Sequence, residues 1–197
     1  MNEDTAMTLP EWWACVAVLS RTLASLPWGV FQRTPAGRER VDGAVGWLLN
    51  NQPNPEMTAF SFREALVAHV LNWGNGYAEI ERDMAGRVTA LWLITPDRVC
   101  PKRDELGALY YEVRGDDGSV VLLEPARVLH VHGLGFDGLV GYSIPRMAAR
   151  SIGVGIAQDT FGQAFYANGT RYGVLVEVPA RMLKEQISDM ENYLDGN

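Results

Sequence analysis

Cysteine, histidine and basic charge are all scarce in this sequence, and long apolar runs are missing. Its 197 residues include 2 cysteines and 3 histidines. Cys15 and Cys100 stand far apart and match neither a zinc nor a redox spacing, which argues against a disulfide framework or a metal ribbon; free, buried thiols are expected. Lys and Arg total 17 against 24 Asp and Glu, a net charge of −7. A protein that grips nucleic acid needs clustered cations, and the densest grouping, Arg38 to Arg40, encloses Glu39, so tight sequence-specific DNA binding is not expected. A surface past which DNA slides remains compatible, because sliding calls for weak attraction or mild repulsion. No apolar run is long enough to span a bilayer, and no P-loop is present, so neither a membrane partner nor ATP hydrolysis is expected.

What the chain does have is a hydrophobic content of 47% and six Trp, enough for a real core. Its length suits one modest domain, or one domain and the start of another. Thr8-Leu9-Pro10-Glu11 reads as a helix start with Thr8 as cap, and Trp12, Val16, Leu19, Leu23 and Leu26 recur at helical spacing until Pro27. Trp28 to Thr34 reads as a short strand before the Pro35-Ala36-Gly37 turn. The cluster from Asn50 to Pro55 breaks regular structure. Phe62, Leu66 and Val70 then mark a second helix, ended at Gly74 by a Gly74-Asn75-Gly76 turn.

From Tyr77 to His132 the texture is β. Tyr77–Arg82, Thr89–Ile94, Tyr110–Arg114, Val120–Leu123 and Val128–His132 are separated by turns at Ala85-Gly86, Pro96-Asp97, Gly107 and Asp116-Asp117-Gly118, the spacing of an antiparallel meander. Ser143 is the expected N-cap of one long helix, with Pro145 in its first turn and Asn168-Gly169 at its end. About 24 residues at about 1.5 Å each give a length of about 36 Å. Gly173 to Val178 reads as a strand and Arg181 to Leu194 as a last helix. The fold class is α+β: a mixed α/β part with a mainly antiparallel sheet, a long helix, and the start of an incomplete last domain.

Catalytic constellations are absent. Gly133, Gly135 and Gly138 satisfy G-x-G-x-x-G, which raises a nucleotide-dependent enzyme as the alternative reading. Yet the helix cannot begin before Ser143, and the acid expected about 20 positions on, Asp159, lies inside it. Gly141-Tyr142-Ser143-Ile144-Pro145 departs from a nucleophile elbow at Pro145. His130 and His132 share one face of a strand, but only Asp137 stands near as a third ligand, so no metal is expected. His69 lies in mid-helix with no acid or nucleophile beside it. Glu79, Glu81 and Asp83 read as a solvated strand face. No cofactor is expected.

The long helix carries a subtler pattern. Met147, Val154 and Phe161 recur every seven residues; Ala148, Gly155 and Gly162 recur beside them, and Ser151 joins that small stripe. Each glycine inside a helix costs about 0.5–1 kcal/mol relative to alanine, so Gly153, Gly155 and Gly162 imply close approach of another backbone. One reading is ordinary core packing inside a single subunit; the other packs the bulky seam on the bare one between copies, a heterologous contact of the kind that closes into rings.

Seven segments in order resemble the HK97-type family of tailed-phage portal proteins: Thr5-Ala6-Met7, Ala24 to Pro27, Pro53–Leu66, Trp73–Asp83, Gly86–Val99, Val128–Pro145 and Ala167–Leu175. The resemblance implies a non-enzymatic subunit of a dodecameric ring at a capsid vertex, the channel for genome packaging and ejection. It implies a wing domain over 1–142, a stem helix over 143–168, and the start of a clip domain over 169–197. Implied partners are copies of itself, terminase, capsid and head-completion proteins, and double-stranded DNA passing non-specifically. The implied location is the virion, and the host cytoplasm during assembly; the gene could belong to a prophage. Another head–tail adaptor module is the remaining alternative. Two departures stand out: Ile144 separates Ser143 from Pro145, and the remaining clip, second stem helix and crown of the family do not follow Asn197.

Overall fold

The computed structural model describes residues 2–41, 43–167, 169 and 183–195. They divide into two compact units, 1–158 and 159–197. The first opens with a short helix α1 (Glu3–Met7), capped by Asn2, whose Oδ1 accepts from Thr5 N at 2.8 Å. Thr8 is therefore not the cap of the next helix. It closes α1, with its hydroxyl donating back to Thr5 O, and α2 (Pro10–Ser25) starts from Leu9 with no side-chain cap. Pro27 terminates α2 as expected. The buried face of α2, however, runs through Val16, Ser20 and Ala24, while Leu19 and Leu23 are 49% and 44% exposed. Small residues let α2 lie close on α4 (Ala59–Trp73), and the leucines flank the contact. Trp12 Nε1 donates to Asn72 Oδ1, and Arg63 Nη1 to Leu26 O, fixing the pair.

The strand expected from Trp28 starts only at Phe31: β1 (Phe31–Thr34) and β2 (Gly37–Arg40) form a hairpin. A short helix α3 (Ala44–Asn50) follows. The β segment is two antiparallel three-stranded sheets rather than one meander. β3 (Asn75–Arg82) lies between β4 (Val88–Ile94) and β8 (Val128–His132); β5 (Val99–Arg103), β6 (Leu109–Arg114) and β7 (Val120–Leu123) form the other sheet. The chain returns from β7 to pair β8 with β3, a long-range pairing that adjacent turns do not announce.

Alternation along β3 builds two cores. Tyr77 faces Val99, Tyr111, Leu123 and Val128 between the sheets, and Ala78 faces Phe62, Leu66 and Leu91 under α4. At Gly76 a methyl would sit 2.9 Å from Leu66 Cδ1, so the absence of a side chain there sets how closely α4 covers the sheet.

The long helix is interrupted. Ser143 caps α5 (Ile144–Met147), with Oγ accepting from Arg146 N, and Pro145 lies in the first turn, as read. Ala148 then leaves the helical conformation, at φ −93° and ψ 16°, before α6 (Ala149–Ala167) begins. The i→i−4 ladder stops with Ala148 N on Ile144 O and resumes with Ile152 N on Ala148 O. The 19 residues of α6 make it about 28 Å long, shorter than the unbroken helix expected. The boundary between the two compact units falls inside α6. Gly169 has φ +71°, the left-handed conformation expected of a residue ending a helix. In the second unit α7 (Lys184–Asp195) replaces the helix read from Arg181; the strand read over 173–178 lies outside the described residues. Both cysteines are free, and both are exposed rather than buried: each lies on the outer side of its element.

Candidate functional site: the root of the long helix

Two glycine-bearing segments from distant parts of the sequence meet where α4 ends and α5 begins. Gly74 caps α4 in the left-handed conformation, φ +77°. A methyl on Gly74 would sit 2.3 Å from Tyr142 O, and one on Gly141 would sit 2.0 Å from Gly74 O. Either contact is far inside van der Waals distance and lies against backbone, which cannot yield cheaply. The two main chains thus touch where only glycine fits.

Asn75 fixes this contact. The Gly74-Asn75-Gly76 turn of the sequence reading is half right: Gly74 ends the helix, but Asn75 and Gly76 are the first residues of β3. Asn75 is 6% exposed. Its Nδ2 donates to Gly141 O and its Oδ1 accepts from Gly141 N, both at 2.9 Å, so the side-chain amide pairs with a peptide as a neighbouring strand would. Nδ2 also donates to Trp73 O at 3.2 Å, which fixes the orientation of the amide.

His130 continues the network. Its Nε2 lies 3.1 Å from Asn75 Oδ1, a pure acceptor, so Nε2 carries the proton; Nδ1 then accepts from Tyr111 O–H at 3.2 Å. The ring stacks on Tyr77 with centroids 4.4 Å apart. Burial, and then the neighbouring His132, push the His130 pKa down to about 4. Burial, followed by Tyr111 and Cys100, pushes Tyr77 well up. His132 turns to Gly133 O instead, at 3.0 Å. The two rings stand edge-on with centroids 5.8 Å apart, but among the described residues no group of three His, Cys, Asp or Glu side chains is placed to hold a metal. His69 is half-buried, with its Nδ1 shielded and unpartnered and its ring edge-on to Trp73; burial lowers its pKa against a smaller opposing pull from Asp97.

The loop over Gly133–Gly138 satisfies a dinucleotide spacing in letters only. No helix follows until Ile144, so no helix N-terminus stands behind it. Gly133 N, at its start, goes to Gly74 O, and just beyond the loop Leu139 N and Val140 N go to Asp137 Oδ1 and Tyr142 N to Leu134 O. Those bonds, from Val140 and then Leu139, hold the Asp137 carboxyl below the usual range. Glu79, Glu81 and Asp83 pair with Arg127, Trp92 Nε1 and Arg87.

On the other side of α5 lies the N-terminus. Glu3 is 5% exposed, and Arg146 Nε stands 2.9 Å from its Oε1. Arg146 Nη2 donates a long hydrogen bond to Glu3 Oε2 at 3.5 Å, while Oε1 receives none and is held by charge alone. Burial opposes the charge of Glu3. Bonds from its own backbone N–H and the Ser143 hydroxyl, with the Arg146 guanidinium, outweigh that and hold its pKa low.

The seam residues divide. Met147, Val154 and Phe161 are 69%, 54% and 73% exposed, and Ser151 is exposed as well. Ala148 is the break in the helix. Gly155 faces its own chain: a methyl there would meet Leu9 Cδ2 at 3.2 Å. Gly162 faces open space, with nothing within 4 Å of such a methyl. Its smallness has no account within the described residues.

A family model described as phage portal protein matches residues 10–197. The portal protein of Enterobacteria phage HK97 is 31% identical over 189 residues, 94% of this chain and 44% of that protein. A probable portal protein of Streptomyces phage phiC31 is 28% identical over 195 residues, 93% of this chain and 42% of its own length. The chain thus spans less than half the length of these curated relatives. Among solved structures, the virion of a native gene transfer agent particle contains a chain with the same fold, at TM-score 0.70 and 19% identity, covering 99% of this chain and 54% of that one. An HK97-family phage portal protein from Corynebacterium diphtheriae matches at TM-score 0.56 and 18% identity, over 96% of this chain and 59% of that one. The alignment with the HK97 protein and the family match across nearly the whole sequence carry one conclusion: the chain belongs to the phage portal protein family.

Proposed function

We propose that the chain is a non-enzymatic structural subunit of a portal ring, the conduit for genome packaging and ejection at a capsid vertex. Residues 1–142 form the wing, 143–168 the stem helix and 169–197 the beginning of the clip, which docks terminase and later head-completion proteins. DNA passes without sequence-specific grip, in keeping with the net charge of −7. A gene transfer agent neck containing a related fold was computed with C12 symmetry, which supports a dodecamer for the intact protein.

The observation that carries this reading is the exposure of Met147 at the end of α5 and of Val154 and Phe161, seven residues apart on α6. Large side chains repeating at helical spacing and left in water point to a surface that another copy covers. Gly162 supplies the bare position on which such side chains could seat, with exposed Ser151 on the same small stripe; Gly155, covered by Leu9, and Ala148, at the helix break, do not extend it. The test is the mass of the intact gene product by light scattering, beside its Gly162→Leu variant. A ring for the parent and a monomer for the variant are expected. A parent that remains monomeric overturns the ring, and a variant that assembles normally overturns the seam.

A further inference from the structure

Ala148 is a break without a local cause. No proline or glycine occupies it, Pro145 sits harmlessly in the first turn of α5, and the ladder resumes at once on the far side. The break separates two differently held pieces. α5 is anchored: Gly141, two residues before its Ser143 cap, is locked to Asn75, and Pro145 is buried. In the part of α6 within the first unit, Ile152 is the one buried residue among those described. A helix held firmly up to 147 and lightly from 149 has its pivot at 148.

One segment reaches across that pivot. Residues 2–9 touch the helix on both sides of it. Glu3 grips Arg146, one residue before the end of α5, and Leu9 lies over Gly155, about two turns into α6. Between these two contacts α1 is a compact unit, locked by Asn2 at its start and by Thr8 at its end, with Ala6 fully buried. Leu9 is also the residue from which α2 starts, and α2 is bound along α4. The segment is therefore tied to the body at one end and to both halves of the broken helix along its length. Glu3 spans 143 residues of sequence to reach Arg146.

We propose that residues 2–9 are a strap across a hinge at Ala148, and that the strap sets the direction in which α6 leaves the wing. Hinges absorb their motion in a few backbone dihedrals at the end of an element, and Ala148 is such a position. The two grips differ in kind. The ionic grip has an exposed partner, Arg146 being 64% exposed, so it can open without disturbing the core. The apolar grip is close: a methyl at 155 would crowd Leu9 Cδ2 at 3.2 Å. Gly155 thus serves the strap within the subunit, and the reading of the seam as a contact between copies is left to Gly162.

The hinge is tested on the whole chain by pulsed electron spin resonance. Spin labels go on native Cys100, exposed on β5, and on Gln158→Cys, exposed on α6, in a Cys15→Ser background. The parent should give one narrow distance distribution. Glu3→Gln with Leu9→Ala should broaden and shift it while the thermal transition stays cooperative, and Arg146→Gln alone should broaden it less. A distribution as narrow in the double variant as in the parent overturns the strap. Loss of cooperative melting in the double variant also overturns it, because residues 2–9 would then belong to the core. A narrow distribution in Arg146→Gln beside a broad one in the double variant overturns the claim that the strap holds both sides of the hinge.

Discussion

Between Gly133 and Met147 backbone and polar groups find their partners inside the chain: Gly141 on Asn75, Gly133 on Gly74, Leu139 and Val140 on Asp137, Arg146 on Glu3. In α6 the balance reverses, with Ile152 buried and Val154 and Phe161 in water. Both regions are rich in glycine, and the glycines mean opposite things. At the root they permit two backbones of one subunit to touch. At Gly162 nothing among the described residues comes near. Glycine content alone therefore does not distinguish a finished contact from one that awaits a partner; the space over each residue does.

The sharpest way to break the contrast is Gly141→Ala. Its methyl would land 2.0 Å from Gly74 O, and two backbones must separate to admit it. Overpacking typically costs about 1–3 kcal/mol, and a contact this short against main chain should exceed that range, unfolding the first unit in a thermal melt. A variant melting with the parent would show that the root is loose.

Asn75→Leu comes next. It leaves Gly141 N and O and His130 Nε2 without partners in a buried place, each group costing about 1–3 kcal/mol. We expect a loss of about 3 kcal/mol in urea unfolding. Asn75→Asp should also be harmful, because it removes the donor to Gly141 O and adds a buried charge.

The third effect depends on pH. His130 is held near 4, below its ordinary 6.5, so the unfolded chain takes up the proton first. Stability from this group is complete above pH 6.5 and falls as the pH drops toward 4, with a slope on the order of 1 kcal/mol per pH unit at most. Glu3 is also depressed, so its contribution is present above its ordinary 4.5 and lost below that. His130→Gln should flatten the upper part of the melting-temperature profile and leave the lower part; Glu3→Gln should do the reverse. Identical profiles in all three proteins would rule both groups out.

Gly162→Leu should have the smallest effect on the isolated chain. It meets open space and improves helix propensity by about 0.8 kcal/mol, so melting should be unchanged or slightly higher. Marked destabilisation would mean that Gly162 packs within its own subunit, and the contrast between the two regions would fail.

Much of the framework was legible because it is written locally. Phe62 and Leu66 announced α4, Gly74 its end, and Ser143 with Pro145 the start of α5. Strand β5 was not, because Val99-Cys100-Pro101-Lys102-Arg103 carries a proline and two cations that read as loop. The pairing of β8 with β3 was hidden for another reason: register between distant strands leaves no mark in either. Leu19 and Leu23 misled because periodicity finds the apolar side of a helix, while close packing selected the smaller Ser20 and Ala24. Asn75 looked like a turn residue between two glycines. The signal that could have found it was the presence of two glycine clusters, 73–76 and 133–141, neither of which served a ligand. Such clusters are candidates to lie on each other.

The pairing of Asn75 with Gly141 also fixes an order of events during synthesis. The two residues are 66 positions apart, and the intervening chain supplies both sheets. At roughly 5–20 residues per second, Gly141 leaves the ribosome several seconds after Asn75. Through that interval the amide of Asn75 must stay hydrated, since burying it unpaired would cost about 1–3 kcal/mol. The end of α4 and the first residues of β3 therefore stay open to water until the loop arrives. The contact at the root of α5 is thus made last, once the elements it rests on have already folded.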